Sequence, residues 1–202
     1  MEKGLLIVIS GPAGSGKGTV IGRLLESEDF VYSVSATTRL PRPGEIDGKN
    51  YHFISKEEFE RRIADGEMLE YTSYCRNYYG TPLKETLEVL NAGKNLILEI
   101  EVEGAMNVKR LYPEAVLIML LPPSFAIQEA RLRGRGTETD EVISERLART
   151  REELPEISHY DYVVYNYDGG VDACAEDIRS VVRAEKHSVS RHPDAEKRYF
   201  ED

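Results

Sequence analysis

Two cysteines, Cys75 and Cys174, are all the thiol this 202-residue chain has, and neither sits at metal-ligand spacing. Two distant thiols argue against a disulfide framework, a single Cys75–Cys174 bridge being the alternative, and, with no leader-like pattern in the opening MEKGLL, point to a reducing cytoplasm. No apolar run approaches the ~20 residues of a membrane span. An excess of positive charge is also missing: 26 Lys and Arg stand against 36 Asp and Glu, a net charge of −10. General binding to a nucleic-acid polyanion is thereby excluded, but small phosphates are not, because a few clustered cations set the field inside a cleft. Such clusters occur in RLPRP at 39–43 and RLRGRG at 131–136. Internal repeats and low-complexity tracts are absent.

One further absence is local. GPAGSGKGTV at 11–20 follows the apolar run LLIVIS and fits a phosphate loop at Gly11, Gly16 and Lys17. The hydroxyl expected at position 18 is missing; Gly18 stands there and Thr19 follows. A Gly-rich turn between strand and helix is the plain alternative. The preceding strand, Lys17 and the helix start behind it favour nucleotide binding by residues 11–19 (Gly11, Pro12, Ala13, Gly14, Ser15, Gly16, Lys17, Gly18, Thr19), whose backbone N–H groups, Pro12 having none, turn inward around the phosphates. A hydroxyl at position 18 usually holds Mg²⁺ directly, so Gly18 argues against a GTPase or motor.

Apolar runs at 5–10, 96–100 and 116–121 read as strands buried on both faces, and 160–166 as a fourth. Helices are expected over 17–26, after a Ser55/Glu58 capping box with Phe59 and Ile63 on one face, and from Thr81-Pro82 with Leu83, Leu87 and Leu90 before Gly93. Others are expected over 124–134 and 139–153, and from Val171 with Cys174, Ile178 and Val182 on one stripe. Alternation of strand and helix means an α/β fold with a mainly parallel sheet. Residues 33–81, rich in Tyr, Thr, Arg and Gly, interrupt that rhythm and read as an inserted lobe of short antiparallel strands plus one helix. The end of the chain is polar and reads as loose or lying on the surface.

SVSATTRLPRPGEIDGKNYHF at 33–53 resembles the acceptor-binding segment of the guanylate kinase family, with all fixed positions filled. EMLEYTSYCRNYYGTP at 67–82 and RGRGTETDEVISERL at 133–147 resemble that family's next motif and its lid. The resemblance runs from about Gly4 to Glu185. It implies a P-loop nucleoside-monophosphate-kinase fold in one domain: core 1–32, 82–125 and 159–190, GMP-binding lobe 33–81, lid 126–158 and tail 191–202. It also implies phosphoryl transfer from ATP to GMP, with dGMP as a further acceptor and Mg²⁺ held through phosphate oxygens and water rather than by a direct protein ligand. Nothing in the pattern bars a homo-oligomer; no nucleic acid or membrane partner is implied.

Arg39 and Arg42, three apart on a proline-stiffened loop near Tyr51 and Tyr79, offer forked donors and phenols suited to one small phosphate. The resemblance assigns these four to the GMP phosphate and counts Glu45 with the GMP-binding set. Guanine presents N1–H and an amino group as adjacent donors, which one carboxylate can accept together. Glu70 matches the position that does this, while Ser35 and Thr81 match hydroxyls contacting the base. Glu99, Glu101 and Glu103 fall two apart, as on one strand face. By resemblance Glu99 and Glu101 face the guanine and the metal-water shell; a strand simply emerging into water is the plain alternative and fits Glu103 best. Arg135 and Arg146 match arginines that close on the transferred phosphate, with Lys17 and Arg39 completing the catalytic set. Arg131 and Asn166 match positions near the donor adenine. Arg133, Arg149 and Arg151 read as a solvated helix face. Kinase-like domains that lost catalysis and bind phosphopeptides are the rival class, but they lack the complete loop and lid that Lys17, Arg135 and Arg146 mark here.

Overall fold

The computed structural model describes residues 3–74, 76–136 and 138–201. Cys75 and Thr137, one of the two thiols and one lid-motif position, lie outside the described residues. Five strands form a wholly parallel sheet: β1 (Leu6–Ser10), β2 (Phe30–Tyr32), β7 (Asn95–Glu99), β8 (Val116–Leu121) and β9 (Tyr162–Tyr165), in the order β2-β7-β1-β8-β9. Alternate residues of β1 go to opposite faces, so a strand of unbroken apolar residues is what a doubly covered sheet requires. Leu5, Ile7 and Ile9 pack with Val20, Ile21 and Leu24 of α1 (Lys17–Leu24) and Cys174, Ile178 and Val182 of α7 (Val171–Lys186). Leu6 and Val8 face the other way, onto Leu90 of α3 (Leu83–Asn91) and Ala105 and Val108 of α4 (Val102–Leu111).

The inserted lobe is a second sheet of four strands ordered β4-β3-β6-β5, made of β3 (Ala36–Thr37), β4 (His52–Phe53), β5 (Met68–Tyr74) and β6 (Asn77–Pro82), with α2 (Lys56–Ala64). The sheet is mixed rather than antiparallel, because β3 pairs parallel with β4. Leu69 of β5 joins the Leu6/Val8 core cluster, tying the lobe to the main sheet. The segment expected as the lid, 126–158, holds most of α5 (Phe125–Gly134), capped by Ser124, all of α6 (Asp140–Glu153), capped by Thr139, and most of a 3-10 turn (Leu154–His159).

Several local expectations are corrected. Ser55 does cap α2 through the Glu58 N–H, but the Glu58 carboxylate binds Arg61 and Arg62 instead of reaching back. On α3, Thr86 and Leu90 are buried while Leu87 is exposed, and Pro82 is the N-cap rather than the first helical residue. Helix α4 and strand β2 were not foreseen. The strand carrying Glu99 stops there; Glu101 is the N-cap of α4 and Glu103 lies in its first turn, so the three glutamates share no strand face. The tail lies on the surface but is not loose: Arg191 binds Glu185 and the Glu114 carbonyl, and α8 (Ala195–Phe200) follows.

Candidate functional site

The β1–α1 turn brings the loop of residues 11–19 to the carboxyl edge of the sheet, where open α/β folds bind ligands. Glycine is required at two of its positions. A Cβ on Gly11 would stand 2.1 Å from the Leu120 carbonyl, and Gly16 has φ +88° with the Asn166 amide nitrogen 2.3 Å from where its Cβ would be. Gly16 is the N-cap of α1, whose first N–H groups have no intrahelical acceptor and no side-chain cap, which leaves them as donors for an anion. Lys17 Nζ donates to the Gly11 carbonyl at 2.6 Å, folded over the loop it would leave for phosphate oxygens. Burial lowers its pKa, and Glu101, Glu99 and Glu153 oppose that shift.

Two residues expected near the adenine brace the loop. Asn166 Nδ2 donates to the Ser15 carbonyl at 2.8 Å. Arg131 donates to the carbonyls of Gly14 (3.3 Å) and Asn166 (2.7 Å) and pairs with Asp168 at 2.7 Å. Both also line an open cavity of about 380 Å³ with Gly16, Thr19, Tyr167 and Gly169.

In the lobe, Arg39 holds Glu45 bidentately at 2.9 and 3.0 Å, and Glu45 also accepts the Arg42 backbone N–H at 2.7 Å. Those donors hold the Glu45 carboxyl below the usual range. The Arg39 guanidinium lies over the Tyr51 ring at 5.5 Å, and Tyr51 meets Tyr79 edge-on at 6.0 Å. Arg39, Tyr51 and Tyr79 thus form one cluster, with Glu45 orienting the arginine. The Glu70 carboxylate is buried, 4% exposed, and accepts from Thr81 Oγ1 at 2.8 Å. Burial pushes its pKa up to about 7 against the pull of the Thr81 bonds. Ser35 is half-buried beside β3, its carbonyl accepting the His52 N–H.

Lobe, loop and lid meet in a cleft of about 740 Å³ lined by residues 12–19, Arg42, Glu99, Glu101, Arg135, Arg146, Arg149 and Glu153. Arg146 pairs with Glu138 at 2.6 Å. Arg149 does not belong to a solvated face: it binds Glu153 at 2.5 Å and lies 3.7 Å from Glu101. Arg133 pairs with Glu129 and Asp140 at the surface, and Arg151 stacks on Phe125 at 4.7 Å. Sequence reading missed Tyr32, at the end of β2, whose hydroxyl is 3.4 Å from Glu99; burial raises both groups' pKa values. Its aromatic character resembles a core residue, so no local signal marks it. Among the described residues no group of three or more His, Cys, Asp or Glu could hold a metal, and no helix is long and apolar enough to cross a membrane.

A phosphate loop at the carboxyl edge of a parallel sheet, opening on a cleft that Arg42, Arg135, Arg146 and Arg149 share with Glu99, Glu101 and Glu153, makes this a P-loop phosphotransferase of the nucleoside monophosphate kinase class. The family model described as guanylate kinase matches residues 3–185. The chain is 50% identical over 191 residues to guanylate kinase of Lactococcus lactis subsp. lactis, covering 94% of this chain and 92% of that one. It is 52% identical over 192 residues to that of Streptococcus thermophilus, covering 94% and 91%. A crystal structure of guanylate kinase from Anaplasma phagocytophilum superposes with a TM-score of 0.75 at 32% identity, covering 95% of this chain and 90% of that one. The chain belongs to the guanylate kinase family, ATP-dependent kinases that phosphorylate GMP.

Proposed function

We propose that this chain transfers the γ-phosphoryl group of ATP reversibly to GMP and dGMP in the cytoplasm, through the residues gathered in the cleft. The observation that carries the reading is that one cleft is lined by the phosphate loop, by Arg42 of the lobe and by Arg135 and Arg146 of the lid. Lys17 and the loop amides hold the donor phosphates. Arg39, Arg42, Tyr51 and Tyr79 orient the acceptor phosphate, while Glu70, Thr81 and Ser35 read guanine. Arg135 and Arg146 neutralise charge on the equatorial oxygens as the acceptor oxygen bonds to the γ-phosphorus and the β–γ bridging oxygen leaves with ADP. The acceptor phosphate is already anionic, so no side chain need take a proton from it.

The carboxylates at the cleft suit a hydrated Mg²⁺, a hard cation that retains water. Glu99, Glu101 and Thr19 would hold it through that shell, and when bound it supplies charge neutralisation between donor phosphates. A nucleotide-exchange assay run both ways tests the reading. ATP with GMP or dGMP should yield ADP with GDP or dGDP, and ADP with GDP should yield ATP. A phosphopeptide that binds while GMP is not turned over would establish the scaffold class instead.

A further inference from the structure

Gln128 of α5 is 1% exposed and Thr150 of α6 is 6% exposed, two polar side chains at the base of the lid beside an apolar cluster of Leu132, Ile143 and Leu147 with Ala13 and Phe125. The Gln128 amide nitrogen donates to the Ala13 carbonyl in the phosphate loop at 3.1 Å and to Thr150 Oγ1 at 2.8 Å. Thr150 Oγ1 in turn donates to the Arg146 carbonyl at 2.9 Å, one turn back along α6. The direction of the chain is unambiguous. A carbonyl only accepts, so the amide nitrogen must face Ala13, and the Thr150 proton goes to Arg146 while its lone pair receives the amide. An unbroken set of three hydrogen bonds runs from the phosphate loop to the backbone of Arg146.

We infer that Gln128 and Thr150 are positioning residues that fix the register of the lid helix against the phosphate loop, and through it the placement of Arg146 and Arg149 relative to Lys17. Contacts among Leu132, Ile143 and Leu147 are non-directional and resist sliding of α6 weakly, whereas a buried, donor-matched hydrogen-bond chain admits one arrangement. Phosphoryl transfer depends on in-line placement, where an ångström of misplacement changes rate on the order of a hundredfold. The effect therefore belongs to kcat. The acceptor-binding residues Arg39, Tyr51 and Glu70 stand on the other sheet or its loops, outside this chain of bonds. The inference rests on the proposed roles of Lys17 and Arg146.

Thr150→Val and Thr150→Ser separate hydrogen bonding from packing, since Val keeps the volume and Ser keeps the hydroxyl. The expected result is a kcat lower by about tenfold or more in T150V, with KM for GMP within about twofold, and near-normal kcat in T150S. Gln128→Leu should match T150V, and the double variant should be little worse than either single one because they break the same chain. Normal kcat in T150V with a defect in T150S would assign the site to packing and overturn the inference, as would multiplicative losses in the double variant. Unfolding midpoints taken alongside identify any variant that loses activity by losing its fold, and the two Thr150 variants carry the test if Q128L does not fold. A wild-type chain inactive on GMP would instead defeat the phosphotransfer reading.

Discussion

Thr81 Oγ1 donates to Glu70 Oε1 at 2.8 Å in a pocket where neither side chain reaches bulk water. The carboxylate that would receive both guanine donors is thus already oriented, and it titrates near neutrality, at about 7. Only its ionised form accepts two donors. In the free enzyme kcat/KM for GMP should therefore fall as pH drops through 7, by about tenfold per unit at the steep end, with kcat less affected. Thr81→Val removes a donor that favours the charged form and should move the break to higher pH.

The same group makes a stability prediction of opposite slope. Its folded pKa lies above the unfolded value, so the folded state binds the extra proton between about 4.5 and 7. Stability contributed by the neutral acid is present at low pH and is lost as pH rises through that window. Glu70→Gln should accordingly raise the unfolding free energy at pH 8 relative to wild type, by up to about 3 kcal/mol, and change it little at pH 4. Thermal unfolding at both pH values checks this; a destabilised E70Q at pH 8 would contradict the burial argument.

Gly16 and Gly18 differ in what a methyl group would meet. At Gly16 the backbone is left-handed and Asn166 blocks the position, whereas nothing lies within 4 Å of a Cβ on Gly18. Gly16→Ala should cost about 1–3 kcal/mol of stability and weaken ATP binding with GMP binding spared. Gly18→Ala should fold normally. Calorimetric titration with each nucleotide distinguishes the two.

Glu45 contacts Arg39 through both oxygens in a part-buried pair, the two side chains 18% and 16% exposed. Glu45→Gln keeps one acceptor for the guanidinium, so it should lower the unfolding midpoint only modestly and raise KM for GMP several-fold by loosening the Arg39 fork. Unchanged KM would show that Arg39 is oriented without Glu45, by the Tyr51 and Phe53 rings and the Leu40 carbonyl.

The parts legible in the sequence are those whose physics is local. Strands β1, β7 and β8 announce themselves as short apolar runs because both their faces are buried, and the phosphate loop because Gly11, Gly16 and Lys17 are tied to backbone geometry. Helix α4 was hidden by Glu99, Glu101 and Glu103, whose alternation imitates a strand although Glu101 already caps a helix. The parallel pairing of β3 with β4 rests on two residues each, too few to leave a pattern. Arg149 reads as a solvated helix position and Gln128 carries no signal, because their partners Glu101, Ala13 and Thr150 come from segments that only the fold brings near.

The central claim is that one cleft joins an ATP-binding loop to a guanine-selective acceptor site. ADP release with ATP and Mg²⁺, measured in parallel for GMP, dGMP, AMP, UMP and CMP, tests it most directly, with Lys17→Met as the chemical blank. The account predicts turnover of GMP and dGMP at a kcat/KM about 10⁴-fold above that of AMP, since a buried carboxylate left without its donors is strongly penalised, and no turnover in a folded K17M. AMP or UMP consumed as readily as GMP would contradict it.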